Sequence, residues 1–129
     1  MSQFERKVIT PGNGVDYPQT GDQVTIEYTG WLFDPSKAAN GFKGTQFDSS
    51  VGRGDFQTQI GVGRVIPGWD VGVKQMSLGE KSTLIIPGNM AYGERLVLYN
   101  LSQKIIVDPT DAMSRHPPVT VLQSLFSAN

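Results

Sequence analysis

The chain has 129 residues, 38% of them hydrophobic and 18% charged, with a formal net charge of −1 and no cysteine. This is enough for one domain with one core and too apolar for wholesale disorder. The balance excludes an electrostatic footprint for nucleic acid or an anionic membrane, disulfide or thiol chemistry, and any span of about 18 apolar residues. The start, Met1-Ser2-Gln3-Phe4-Glu5-Arg6-Lys7, has no apolar signal core, so a cytoplasmic protein is expected.

Fifteen glycines and eight prolines divide the chain into short pieces, a strand-and-turn pattern. Residues Gln23 to Thr29 alternate, with Val24, Ile26 and Tyr28 on one face and Thr25, Glu27 and Thr29 on the other, which predicts a half-buried strand. Phe47 and the segment Phe56 to Ile60 read as two more short strands. Pro67 opens the one good helix, since proline suits a first helical turn. Trp69, Val73 and Met76 share a face of it, and Gly79 is placed to end it in a left-handed conformation. Lys81 to Ile86 is a further β-rich run that stops at Pro87-Gly88. The pattern predicts a single α+β domain over residues 1–129, antiparallel strands against one short helix. The segment from Leu96 to Asn129 differs in having no glycine.

Tyr28, Phe47, Phe56, Val65, Ile66, Trp69 and Tyr92 either line one concavity or form the ordinary core of a small domain. With so few ionisable groups among them, a concavity would grip an apolar ligand and would not suit acid–base or metal chemistry. A buried Trp69 needs a partner for its N–H. Asp48 is the carboxylate beside an aromatic in this set, and as a plain turn residue it would accept from the Ser50 N–H. Arg53-Gly54-Asp55 spells an adhesion tripeptide and Asn100-Leu101-Ser102 a glycosylation sequon, both without meaning in the cytoplasm. His116 is the single histidine and there is no cysteine, which argues against a zinc site. Gly61-Val62-Gly63 lacks the third glycine of a dinucleotide loop.

Taken in order, Thr10-Pro11-Gly12-Asn13-Gly14, Tyr28-Thr29-Gly30, Phe47-Asp48-Ser49-Ser50, Gly63-Arg64-Val65-Ile66-Pro67-Gly68-Trp69, Gln75-Met76-Ser77-Leu78-Gly79-Glu80 and Ala91-Tyr92-Gly93 resemble the FKBP-type peptidyl-prolyl cis-trans isomerases. The resemblance runs from about Val8 to Arg95, with Asp34 to Thr45 as a longer surface loop. It implies a twisted antiparallel sheet wrapped around the helix, and an enzyme that turns Xaa-Pro bonds, assists protein folding and binds macrolides such as tacrolimus and rapamycin. Carried over by position, Asp48, Trp69 and Tyr92 would be the catalytic residues. Trp69 would floor the pocket, Asp48 would accept a hydrogen bond at its rim, and Tyr92 would donate its hydroxyl to a substrate carbonyl. Tyr28, Phe47, Phe56, Val65 and Ile66 would wall it, with Arg53 near Asp48 and the Ile66 N–H binding the next carbonyl. No cofactor or metal is implied. Partners would be proline-containing peptides, macrolides and, through a macrolide complex, a phosphatase or kinase; the protein would be a monomer.

After Gly93-Glu94-Arg95 the family continues with a glycine-rich loop, an Ile-Pro-Pro turn and a long central strand that adds one aromatic to the pocket. This chain continues with Leu96-Val97-Leu98-Tyr99-Asn100, so residues 96–129 read as a divergent segment, from a retained intron or a shifted frame, and leave the last strand unassigned. A replacement strand is available at Val119 to Phe126 after Pro117-Pro118, with Leu122, Ser124 and Phe126 facing the core and Leu96 to Arg115 as an enlarged loop. Ser124 would then stand where the aromatic belongs, and an aromatic-to-small change of about 3–5 kcal/mol predicts weak stability and reduced or absent activity. Besides an isomerase, the chain reads as a non-catalytic binder of proline peptides or macrolides, or as an inactive product.

Overall fold

The computed structural model describes residues 3–93 and 95–108. Six strands form one antiparallel sheet: β1 (Glu5–Thr10), β2 (Gln23–Phe33), β3 (Lys43–Ser49), β4 (Phe56–Gln59), β5 (Lys81–Ile86) and β6 (Val97–Val107). The strands lie in the order β1-β5-β6-β2-β3. β3 pairs with β2 over Thr29 to Phe33 and β4 pairs with it over Gln23 to Ile26, so the two share one edge of β2 end to end. Among the described residues a single short α-helix, α1 (Pro67–Gly72), runs on as a 3₁₀ turn over Val73–Gln75. The fold is α+β, as the sequence predicts.

The alternation from Gln23 to Thr29 is a strand, and it continues to Phe33. Val24 and Ile26 are buried, and so is Thr25 from the opposite face, where the pairing with β6 slips between Thr25 and Ile26. Lys81 to Ile86 is a strand as read. Within the long surface segment from Asp34 to Thr45, Pro35–Asn40 form a 3₁₀ turn, capped by the Asp34 carboxylate on the Ser36 N–H, and Lys43 already starts β3.

The helix opens at Pro67, and Trp69, Val73 and Met76 are all buried on one core. It lies against β5 at close range. A Cβ on Gly68 would come 2.4 Å from the Ile86 side chain, and one on Gly72 would come 2.6 Å from that of Leu84. The helical run ends earlier than expected, with Met76 already extended. Gly79 is left-handed, at φ +87°, but it serves the turn into β5 and not the helix end. Gln103 of β6 closes the helix instead, its side-chain N–H groups donating to the carbonyls of Val73 and Met76, each at 3.3 Å.

β6 is the main correction. Residues 97–107, expected inside an enlarged loop, are the central strand, paired with β2 over its length and with β5 from Val97 to Ser102. Val97, Tyr99, Leu101 and Ile106 enter the core beside Val24, Ile26, Trp69 and Leu84. The divergence assigned to Arg95 therefore does not interrupt the sheet: Gly93 to Leu96 alone separate Tyr92 from the last strand. His116, Pro117-Pro118 and the strand expected at Val119 to Phe126 lie outside the described residues.

Candidate functional site

Trp69 enters from the first turn of α1 and is 5% exposed. Three rings stand edge-on around its indole: Tyr28 of β2 at 5.0 Å, Phe56 of β4 at 5.9 Å and Tyr99 of β6 at 5.1 Å between centroids. Edge-to-face contacts of this kind hold aromatic rings at fixed angles and add to their burial. The indole N–H is buried and has no hydrogen-bond partner among the described residues.

Above the indole lies a cavity of about 480 Å³. Tyr28, Phe56, Val65, Ile66 and Tyr99 give its apolar lining. Asp48, Tyr92, Gly63 and Arg64 stand around it with polar groups and backbone. Such a space, with an apolar floor and walls and a few convergent polar groups, has the character of a small-ligand site.

Asp48 of β3 does not bond the Ser50 N–H, which goes to the Tyr28 carbonyl at 2.9 Å. Its carboxylate accepts from the Tyr28 hydroxyl at 3.0 Å, from the Arg53 guanidinium at 2.7 Å and from the Ser49 N–H at 2.9 Å. Burial and the bond to Asp48 hold the Tyr28 phenol above its ordinary value. The rim carboxylate thus fixes a wall ring by its hydroxyl.

The Gly61-Val62-Gly63 turn is tied to the helix. Asp70 accepts from the Gly61 N–H at 2.8 Å and the Gly63 N–H at 3.0 Å, so the donors that a phosphate loop would offer are already used. This turn carries Arg64, Val65 and Ile66 to the cavity, and Ile66 is the N-cap of α1.

Tyr92 follows a 3₁₀ turn over Gly88–Met90 and is half exposed. Its hydroxyl lies 2.6 Å from that of Tyr99. The Tyr99 phenol is pushed far above its ordinary value, by burial first and by this hydrogen bond second.

Seven residues expected in the site line the cavity: Tyr28, Asp48, Phe56, Val65, Ile66, Trp69 and Tyr92. Phe47 and Arg53 stand one step back. Phe47 sets its ring edge-on to Tyr92 and Tyr99 at 5.9 and 5.6 Å, and Arg53 reaches the cavity through Asp48. The adhesion tripeptide is likewise engaged, since Asp55 pairs with Lys104 at 3.1 Å. Tyr99 was missed, together with Gly63 and Arg64 as lining residues. Its signal was the β-rich run from Val97 to Val107, with Tyr99 two residues after Val97 and two before Leu101 on the core face.

Among the described residues no helix is long and apolar enough to cross a membrane, and no group of three His, Cys, Asp or Glu could hold a metal. Comparison with known proteins agrees with the geometry. The family model for FKBP-type peptidyl-prolyl cis-trans isomerase matches residues 14–108, a span that includes β6. FK506-binding protein 1 of Aspergillus oryzae is 58% identical over 93 residues, 70% of this chain and 79% of the relative. FK506-binding protein 1B of Emericella nidulans is 55% identical over 91 residues, covering 70% and 76%. FK506-binding protein 1 of Saccharomyces cerevisiae is 54% identical over 88 residues, covering 67% and 69%. An indole-floored basin, walled by rings from three strands and reached by a matching family model through its last strand, places this chain in the FKBP-type peptidyl-prolyl cis-trans isomerase family.

Proposed function

We propose that the cavity over Trp69 catalyses cis–trans isomerisation of Xaa-Pro bonds and binds FK506. The observation that carries the reading is the buried indole ringed by Tyr28, Phe56 and Tyr99 under an apolar cavity, a shape and polarity suited to a proline ring. Relatives named for FK506 binding support the macrolide part.

The barrier to peptide-bond rotation is about 18–20 kcal/mol, because rotation breaks amide resonance. The twisted transition state has less charge separation than the planar amide. A pocket less polar than water therefore favours it over the ground state, which is the condition for catalysis. Trp69 holds the proline ring, with Tyr28, Phe56, Val65 and Ile66 around it. Tyr92 donates to one substrate carbonyl and the Ile66 N–H to the next. Asp48 holds Tyr28 in place and accepts at the rim. A 10⁵-fold acceleration needs roughly 7 kcal/mol, and no covalent step is required to reach it.

The reason for expecting lost activity was a missing strand aromatic, and Tyr99 supplies one. The test is the exchange rate of a tetrapeptide with leucine before proline, measured with and without FK506. Acceleration that FK506 abolishes supports the isomerase. FK506 binding without acceleration supports a non-catalytic binder.

A further inference from the structure

We propose that Tyr99 is a positioning residue of the site: its buried phenol donates to the Tyr92 oxygen, fixes that side chain, and leaves the Tyr92 O–H free for the substrate carbonyl. This rests on the isomerase reading above.

The two hydroxyls are 2.6 Å apart, and by distance either could donate. Burial decides between them. Tyr99 is 1% exposed, whereas Tyr92 is 58% exposed. A buried hydroxyl hydrogen without an acceptor is strongly disfavoured, while an exposed one can point to water or to a ligand. The ordered arrangement therefore has the Tyr99 hydrogen on the Tyr92 oxygen. A phenol that accepts a hydrogen bond is polarised into a better donor. The raised pKa of Tyr99 keeps that hydrogen in place at any ordinary pH.

The geometry around the pair serves the same end. Tyr92 comes from an exposed turn, and its ring meets Phe47 edge-on at 5.9 Å. Tyr99 packs against Trp69, Phe47 and Tyr28, and lies directly opposite Gly30 of β2. A Cβ on Gly30 would come 2.6 Å from the Tyr99 ring, so the absence of a side chain there lets the ring lie flat against the strand. A buried phenol from the central strand thus anchors an exposed phenol at the rim.

The experiment is a double-mutant cycle with Tyr99→Phe, Tyr92→Phe and the double variant, read by exchange of the leucine-proline tetrapeptide and by FK506 affinity, with melts as controls. Phenylalanine keeps the ring packing, so Tyr99→Phe is expected to melt nearly as the parent. Its kcat/KM is expected to fall roughly threefold to tenfold, the worth of one neutral hydrogen bond. In the Tyr92→Phe background the same change is expected to cost nothing further. A Tyr99→Phe variant as active as the parent overturns the proposal, as does a loss undiminished in the Tyr92→Phe background, which would mark Tyr99 as packing alone. If the parent binds FK506 without turnover, the isomerase reading fails and the coupling is read on FK506 affinity, where its absence overturns the positioning role. A parent that neither turns over nor binds overturns both.

Discussion

Burial makes Tyr99 a reporter of alkaline stability as well as a part of the site. Its phenol is held far above the ordinary value near 10, with Tyr92, Asp48 and Tyr28 as the titratable groups facing it. The sign follows from which state gives up its proton first. Above about pH 10 the unfolded chain releases the Tyr99 proton while the folded one keeps it, so the unfolded state binds fewer protons and stability falls as pH rises. Below that value the contribution is fully present. Denaturant melts between pH 8 and 11 are expected to show stability level at first and declining above about pH 10. Tyr99→Phe is expected to flatten the decline without abolishing it, since the Tyr28 phenol is also raised. An unchanged slope would show that the folded protein does not hold this proton. The rim pair of Asp48 and Arg53 is of another kind, because the Arg53 side chain is 62% exposed and solvent screens the attraction. An exposed pair of this sort adds little to stability, so its place is in orienting Tyr28.

Among the elements, β1 is tied to the turn before β5 by a buried carboxylate as well as by its ladder with β5. Glu80 is 4% exposed and accepts from the Ser77 N–H at 3.1 Å and the Ser82 hydroxyl at 2.6 Å, and it pairs with Arg6 of β1. The turn, β5 and the edge strand are all tied to one anion. Glu80→Ala leaves the buried Ser77 and Ser82 donors without their acceptor, while Arg6 can turn to water. The expected loss is about 3 kcal/mol, near the top of the range for hydrogen bonds to a charged group. It would appear as a lower denaturant midpoint at an unchanged slope, and a loss under about 0.5 kcal/mol would show the network to be idle. The same elements explain what could be read in advance. β2 was legible by its alternation, β5 as a β-rich run cut off at Pro87-Gly88, and α1 because proline opens it and Trp69, Val73 and Met76 recur on one side. β1 was not, because Glu5, Arg6 and Lys7 sit on an edge where most positions are exposed. β6 was not, because Val97, Leu98 and Tyr99 are buried in succession on both faces, which erases the alternation that marks a strand. Expecting a long loop before it also moved the strand some twenty residues along the chain, and Tyr99 was lost from the site with it. The walls and floor were legible because they stand in short contiguous motifs, whereas the partner of Tyr92 comes from another strand.

For the molecule as a whole, the last strand in sequence is the central one in space. β6 joins β5 on one side to β2 on the other. Without it, β1 pairs only with β5, and β3 and β4 pair only with β2, so the sheet falls into two pieces with no ladder between them. The core would also lose Val97, Tyr99, Leu101 and Ile106, and the helix would lose the Gln103 donors on Val73 and Met76. Each buried large apolar side chain contributes about 1.5–3 kcal/mol, so four of them match a total stability of about 5–15 kcal/mol. A chain cut after Arg95 is therefore expected to show no cooperative melt and no response to FK506, although it keeps every motif from Thr10 to Gly93 that carries the resemblance. The intact chain is expected to melt in one transition. FK506 at about 100 times its Kd should add about 2.7 kcal/mol and raise the midpoint by roughly 10 °C. A cut chain that melts cooperatively and is stabilised by FK506 would mean that the two halves of the sheet hold without β6, and the central role given to that strand would be wrong. An intact chain that melts cooperatively but ignores FK506 would separate the fold from the pocket: the sheet would be complete, and the basin over Trp69 would not accept the macrolide.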